Sequence, residues 1–224
     1  MSSTHVTAQV DSGGFQVHHV GHHFNSADDE FEAAKQGMWV FLVTEVLMFG
    51  GLFVAYAIFR GLYPEMYVEA HKALQMKMGA INTVILITSS LTMALAVSST
   101  QRGKTNRAIA LMGATILLAF GFLFVKYLEY SHKFAEGLLP GIHYTNTEIT
   151  NPKAPIFFSL YFMMTGLHGI HVLIGIGLIT WMIIRSKKKE FGPDFYTPVE
   201  LVGFYWHFVD LIWIYLFPLL YLVS

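Results

Sequence analysis

The sequence predicts an all-α integral membrane protein, a bundle of five transmembrane helices preceded by a polar N-terminal tail on the cytoplasmic side. Three observations lead there. Of 224 residues, 54% are hydrophobic and only 13% charged, where soluble domains carry about 25% charge. The mean hydropathy is +0.50. The apolar residues gather in five stretches, at about 38–59, 79–99, 108–128, 156–184 and 199–222, each near the roughly 20 residues a helix needs to cross hydrocarbon. Nothing between them is long enough for a soluble domain, so the chain divides into a tail, 1–36, and a five-helix domain, 37–224.

The tail carries Gly13-Gly14, four closely spaced histidines (His18, His19, His22 and His23) and the acidic run Asp28-Asp29-Glu30. It has no apolar core of signal-peptide type. Nothing beside the histidines would fix metal-ligand geometry, so the segment reads as solvated and partly disordered, turning helical near 28–35. The chain has no cysteine, which excludes disulfides, zinc-thiolate and iron–sulfur sites and the Cys-x-x-Cys-His haem attachment. A net charge of −1 offers nothing to nucleic acid.

Basic residues orient the spans. Lys35, then Arg102, Lys104 and Arg107, then Arg185, Lys187, Lys188 and Lys189 fall on the side of the N-terminus, the last two groups in short loops. Arg60, Lys72, Lys77, Lys126, Lys133 and Lys153 are spread over longer connections on the other side. The positive-inside rule then places the N-terminus in the cytoplasm and the C-terminus outside.

The first span holds one acidic residue, Glu45, about a third of the way across. An ionisable group at that depth needs a partner. Two readings fit: a protonated carboxyl hydrogen-bonded to a neighbouring helix, or a proton-handling, reactive carboxyl. Gly50-Gly51 beyond it would let another helix approach closely. The second span, with Asn82-Thr83 and Thr88-Ser89-Ser90, has small hydroxylated residues and reads as packing. In the third, Lys126 and Glu129 stand three apart and can pair; exposed, the pair is worth little, and buried, Glu129 anchors a turn or a lipid head group.

The fourth span contains Thr165-Gly166-Leu167-His168-Gly169-Ile170-His171. His168 and His171 have a spacing that could present two imidazoles to one metal, but the glycines argue for close helix packing or lipid contact instead. The fifth contains Tyr205-Trp206-His207-Phe208-Val209-Asp210-Leu211-Ile212-Trp213. His207 and Asp210 share a helix face and form the expected pair, with Trp206 on the same stripe. Only His168, His171 and His207 lie within spans, too few for a self-sufficient redox centre resting on histidine.

These motifs together carry a resemblance. Trp39 to Phe53 around Glu45, the Glu129-Tyr130 pair, the Gly-x-His-Gly-x-His run and the Trp-His-Phe-Val-Asp run resemble, in order and spacing, subunit III of cytochrome c oxidase. The resemblance covers the chain from about Lys35 onward. It implies a non-catalytic subunit of a proton-pumping terminal oxidase in the bacterial inner membrane. Such a subunit binds no cofactor itself; haem and copper belong to partner chains. It packs on the catalytic haem–copper subunit I and other oxidase subunits, binds phospholipids and sustains proton uptake. The family's carbodiimide-reactive carboxyl falls on Glu45, and the helix-interface or lipid-contact positions on Glu129, His168, His171, Trp206, His207 and Asp210.

One departure stands out. Longer members have seven helices, and this chain matches the last five, with the His-rich tail in place of the first two. Those two form one wall of a lipid-filled cleft, so a cleft of that kind here needs its second wall from another chain. The rivals are the same scaffold in a quinol oxidase or a homologue linked to nitric oxide reductase, and, from another class, a small proton-coupled transporter using Glu45, His207 and Asp210 as a relay.

Overall fold

A computed structural model describes residues 10, 13–18, 20–147, 149 and 151–222. Six α-helices follow one another: α1 (Ala27–Leu62), α2 (Pro64–His71), α3 (Met76–Gln101), α4 (Thr105–Ala135), α5 (Ala154–Lys187) and α6 (Thr197–Tyr221). All but α2 are long and apolar enough to cross a membrane. The five predicted spans therefore fall on α1, α3, α4, α5 and α6, and each helix outruns its apolar stretch because polar residues continue the helix past hydrocarbon. α1 does so most. Its N-cap Ser26 accepts a hydrogen bond from the Asp29 amide at 3.1 Å, and Asp28, Asp29 and Glu30 oppose the positive end of its dipole. Helix therefore begins well before the first apolar residue, inside the stretch expected to be tail. The short α2, started by Pro64, was not foreseen.

Between α3 and α4 the chain reverses in three residues. Gly103, at φ 68°, supplies the left-handed step, and Lys104 donates back to the Ser99 carbonyl at 2.9 Å, closing the end of α3. α3 and α4 then pack as a hairpin; α6 lies against α3 and α5, and α5 against α4, closing a ring of four helices. α1 stands outside the ring, leaning on α5 and α6. Only Phe49 and Tyr56 of α1 are buried. The close approach of α5 and α6 depends on Gly175, where a Cβ would lie 2.6 Å from the Trp206 ring. Gly50 and Gly51, by contrast, face open space, so the helix contact expected there is not made within the chain.

Inside the ring the polar groups bond from helix to helix. Trp206 donates to Ser89 and Trp213 to Thr83, both at 3.1 Å, and the Thr92 and Thr115 hydroxyls meet at 2.7 Å. Towards the far end lies an ionic node. Lys126 donates to Glu129 at 3.0 Å, to the Tyr161 hydroxyl at 3.2 Å and to the Tyr221 hydroxyl at 3.0 Å. Both tyrosines in turn donate to Glu129, at 2.8 and 2.6 Å. Glu129 is 1% exposed, so the pair is a buried one, and it joins α4, α5 and α6. Four aromatic rings lie within 6 Å of the ammonium, the geometry of a cation–π cage.

Removing one member of such a pair leaves a charge stranded. Glu129→Ala should destabilise the folded chain by about 3–5 kcal/mol, and Lys126→Met with Glu129→Leu should recover most of that loss. Equilibrium denaturation in mixed micelles measures both.

Candidate functional site

Glu45 projects from α1 towards α5, where its Oε2 meets His171 Nε2 at 2.9 Å. The two side chains are 15% and 9% exposed. The other ring nitrogen of His171 lies 2.8 Å from the Leu167 carbonyl. A carbonyl only accepts, so Nδ1 carries a proton. Nε2 and Glu45 therefore share a single proton: on the carboxyl the contact is a neutral O–H···N bond, and on the imidazole it is an ion pair. One short hop converts one into the other. Phe49 meets the imidazole edge-on at 5.2 Å, the rings inclined at 62°, and the Tyr205 hydroxyl donates to the His171 carbonyl at 3.1 Å. A cavity of about 340 Å³ opens beside the pair, its walls Met38, Phe41, Ile174, Leu178, Val202 and Tyr205.

The remaining predicted residues do not join this site. His168, three residues before His171, points instead into the ring, fully buried, between Phe122 at 5.4 Å and Trp213 at 5.3 Å. Trp206 is held by Ser89, and Glu129 by the node described above. The pairing expected between His207 and Asp210 is not formed. His207 Nδ1 bonds the Ser90 hydroxyl of α3 at 2.7 Å, and neither carboxyl oxygen of Asp210 has a hydrogen-bond partner among the described residues. Both side chains share a face of α6, but Ser90 stands opposite them and takes the imidazole. Ser90, Ser89 and Thr83 thus carry the packing of α3 on α6 through hydrogen bonds to His207, Trp206 and Trp213, partners that the sequence reading did not name.

The donor set does not fit a haem or a copper ion. His168 faces aromatic rings, His171 faces Glu45 and a carbonyl, and His207 faces Ser90, so no two imidazoles converge on one point. Among the described residues, no group of three histidine or carboxylate side chains is arranged to hold a metal ion.

Fold and site together define a multi-pass membrane subunit whose buried polar residues join helices and whose crevice ends on a carboxyl–imidazole pair. The chain belongs to the cytochrome c oxidase subunit III family, whose model matches residues 15–224; it is subunit III of a haem–copper oxidase. It is 36% identical to cytochrome c oxidase subunit 3 of Thermostichus vulcanus, over 84% of this chain and 86% of the relative. It is 28% identical to cytochrome bo(3) ubiquinol oxidase subunit 3 of Pseudomonas putida, over 88% of each. A haem–copper oxidase subunit I+III of Aeropyrum pernix is 31% identical over 84% of this chain, which matches 22% of that longer protein.

The contact made by His207 sets a ranking. Ser90→Ala removes the imidazole's partner and should cost about 1 kcal/mol. Asp210→Leu removes a carboxyl that does not bond His207 and should cost less. Denaturation midpoints of the two variants give the order; the reverse order would restore a direct link between His207 and Asp210.

Proposed function

We propose that this chain is the non-catalytic third subunit of a proton-pumping terminal cytochrome c oxidase in a bacterial cytoplasmic membrane. It assembles on the haem–copper subunit I, holds phospholipid and assists proton uptake at Glu45. The observation that carries this reading is the Glu45–His171 contact: a carboxyl that shares one proton with an imidazole at 2.9 Å, beside an apolar crevice. Within such a pair one proton can pass between carboxyl and imidazole, while none of the intramembrane histidines is free to ligate a redox metal. Haem and copper then reside in partner subunits. The crevice walls match an acyl chain in chemistry, which supports the phospholipid. The basic loops support a cytoplasmic N-terminus. The fused relative, named for both subunits I and III, supports subunit I as the neighbour.

The cytochrome c branch is favoured by the higher identity to the Thermostichus vulcanus protein. The ubiquinol branch is kept open by the Pseudomonas relative; a copper-bearing, cytochrome c-docking subunit in the purified complex separates the two.

An affinity tag on this chain should bring out a haem–copper subunit. Isolation of the chain as a stable protein with its own haem would overturn the assignment.

A second experiment addresses the carboxyl. Glu45→Gln should leave the haem content of the complex intact and abolish its carbodiimide sensitivity, with turnover falling less than about tenfold, or about 1.4 kcal/mol of barrier. Complete loss of oxygen reduction in an assembled complex would place Glu45 in the essential machinery.

A further inference from the structure

The apolar crevice beside Glu45 has a polar neighbour. A cavity of about 320 Å³ lies between the N-terminal ends of α1 and α6, lined by Ala34 and Pro198 among others. One turn further along each helix, Met38 and Val202 line the crevice itself. Several walls of the cavity are aromatic. Phe31 meets Tyr196 edge-on, ring centroids 6.4 Å apart, and Phe195 is stacked on His18 at 3.7 Å. Three carboxylates share the lining: Asp28 and Glu30 from the first turn of α1, and Asp194 from the α5–α6 connection. His18 holds Glu30 at 2.9 Å, whereas Asp28 and Asp194 form no ion pair among the described residues. A cation stands one turn deeper, the Lys35 ammonium 4.2 Å from the centre of the Phe31 ring. Charge along α1 thus runs in a fixed order: carboxylates at 28–32, a cation at 35 and apolar side chains from Met38 onward.

We propose that cavity and crevice form one site for a phospholipid whose headgroup ends in a primary amine, such as phosphatidylethanolamine. The match lies in the order of charge. In that lipid the ammonium is outermost, the phosphate next and the acyl chains innermost. The ammonium then faces Asp28 and Asp194, the phosphate faces Lys35, and a chain fills the crevice. A primary ammonium brings three N–H donors to carboxylate acceptors, and the rings of Phe31, Phe195 and Tyr196 favour a cation at their faces. From Ala34 to Glu45 the helix rises about 16 Å, within the reach of an acyl chain. A headgroup with glycerol in place of the amine leaves the carboxylates without a counter-charge beside its own phosphate. The site rests on the phospholipid reading of the crevice and adds to it the headgroup selected.

The test uses the intact complex in nanodiscs of equal phosphatidylethanolamine and phosphatidylglycerol. One lipid or the other carries, in trace, a photoactivatable diazirine on its acyl chain, and labelled peptides are mapped by mass spectrometry after illumination. Labelling at Met38 and Phe41, relative to labelling summed over all chains of the complex, should favour the amine lipid about tenfold. In Asp28→Asn with Asp194→Asn the preference should fall below about twofold, with haem content as the check on assembly. Lys35→Gln should lower labelling by both lipids, since both carry the phosphate. Equal labelling of the wild-type crevice by the two lipids, or a preference that survives in the double variant, overturns the headgroup assignment and leaves the phospholipid reading standing. No labelling of the crevice by either lipid overturns the phospholipid reading, and this site with it.

Discussion

Hydrocarbon supplies no water to satisfy a polar side chain, and this constraint organises the whole bundle. Each polar group that the sequence sends into the membrane must find its partner on another helix or on its own backbone. Lys126 and Glu129 meet that demand within α4 and then recruit Tyr161 from α5 and Tyr221 from α6. The indole N–H groups of α6 meet it on the hydroxyls of α3. A ring of four helices joined by such bonds has one relative arrangement, because sliding α6 by a turn would strand two indoles, an imidazole and a phenol together. Close packing adds to this where α5 gives up a side chain at Gly175 for the Trp206 ring.

α1 lies outside that network, and the contrast explains where chemistry is found. Within the membrane it is tied to the ring by Glu45 on His171 and, towards its far end, by the Tyr56 hydroxyl on the Leu219 carbonyl. Away from these ties its side chains are largely exposed, including Trp39, Val43 and Leu47. A carboxyl at the seam of a thinly packed helix is reachable in a way that Glu129, locked by three donors, is not. Two glutamates of one bundle therefore sit in opposite settings: one joins three helices inside the ring, and the other meets an imidazole at the edge of a crevice.

Hydropathy made the five spans legible, since crossing a bilayer demands length and apolarity and little else. The depth of Glu45 was legible for the same reason. Its partner was not, because His171 is 126 residues away and nothing in a single sequence couples them. Local spacing also leaves direction undecided. His168 and His171 differ by about 60° around the helix, enough to send one into the aromatic core and the other to α1. His207 and Asp210 do share a face, but a face is only a direction, and the group standing opposite, Ser90, decides the bond. The tail was read as solvated because its composition is polar; the structure holds residues 13–18 through backbone carbonyls and a stacked ring, contacts that composition does not reveal. Position 19 of the histidine cluster lies outside the described residues, as do positions 1–9, while His22 and His23 are exposed.

The dispersal of the histidines carries the argument from structure to role. A redox site needs several imidazoles aimed at one point, and preorganised aim is the expensive part of building one. Here each imidazole inside the membrane is aimed at a different neighbour and helps to fix a different helix contact: His168 at α4 and α6, His171 at α1, His207 at α3. Using any of them as a ligand would break the joint it makes. The same residues that mark the family thus join helices, and the contact between Glu45 and His171 lies at the edge of an open crevice.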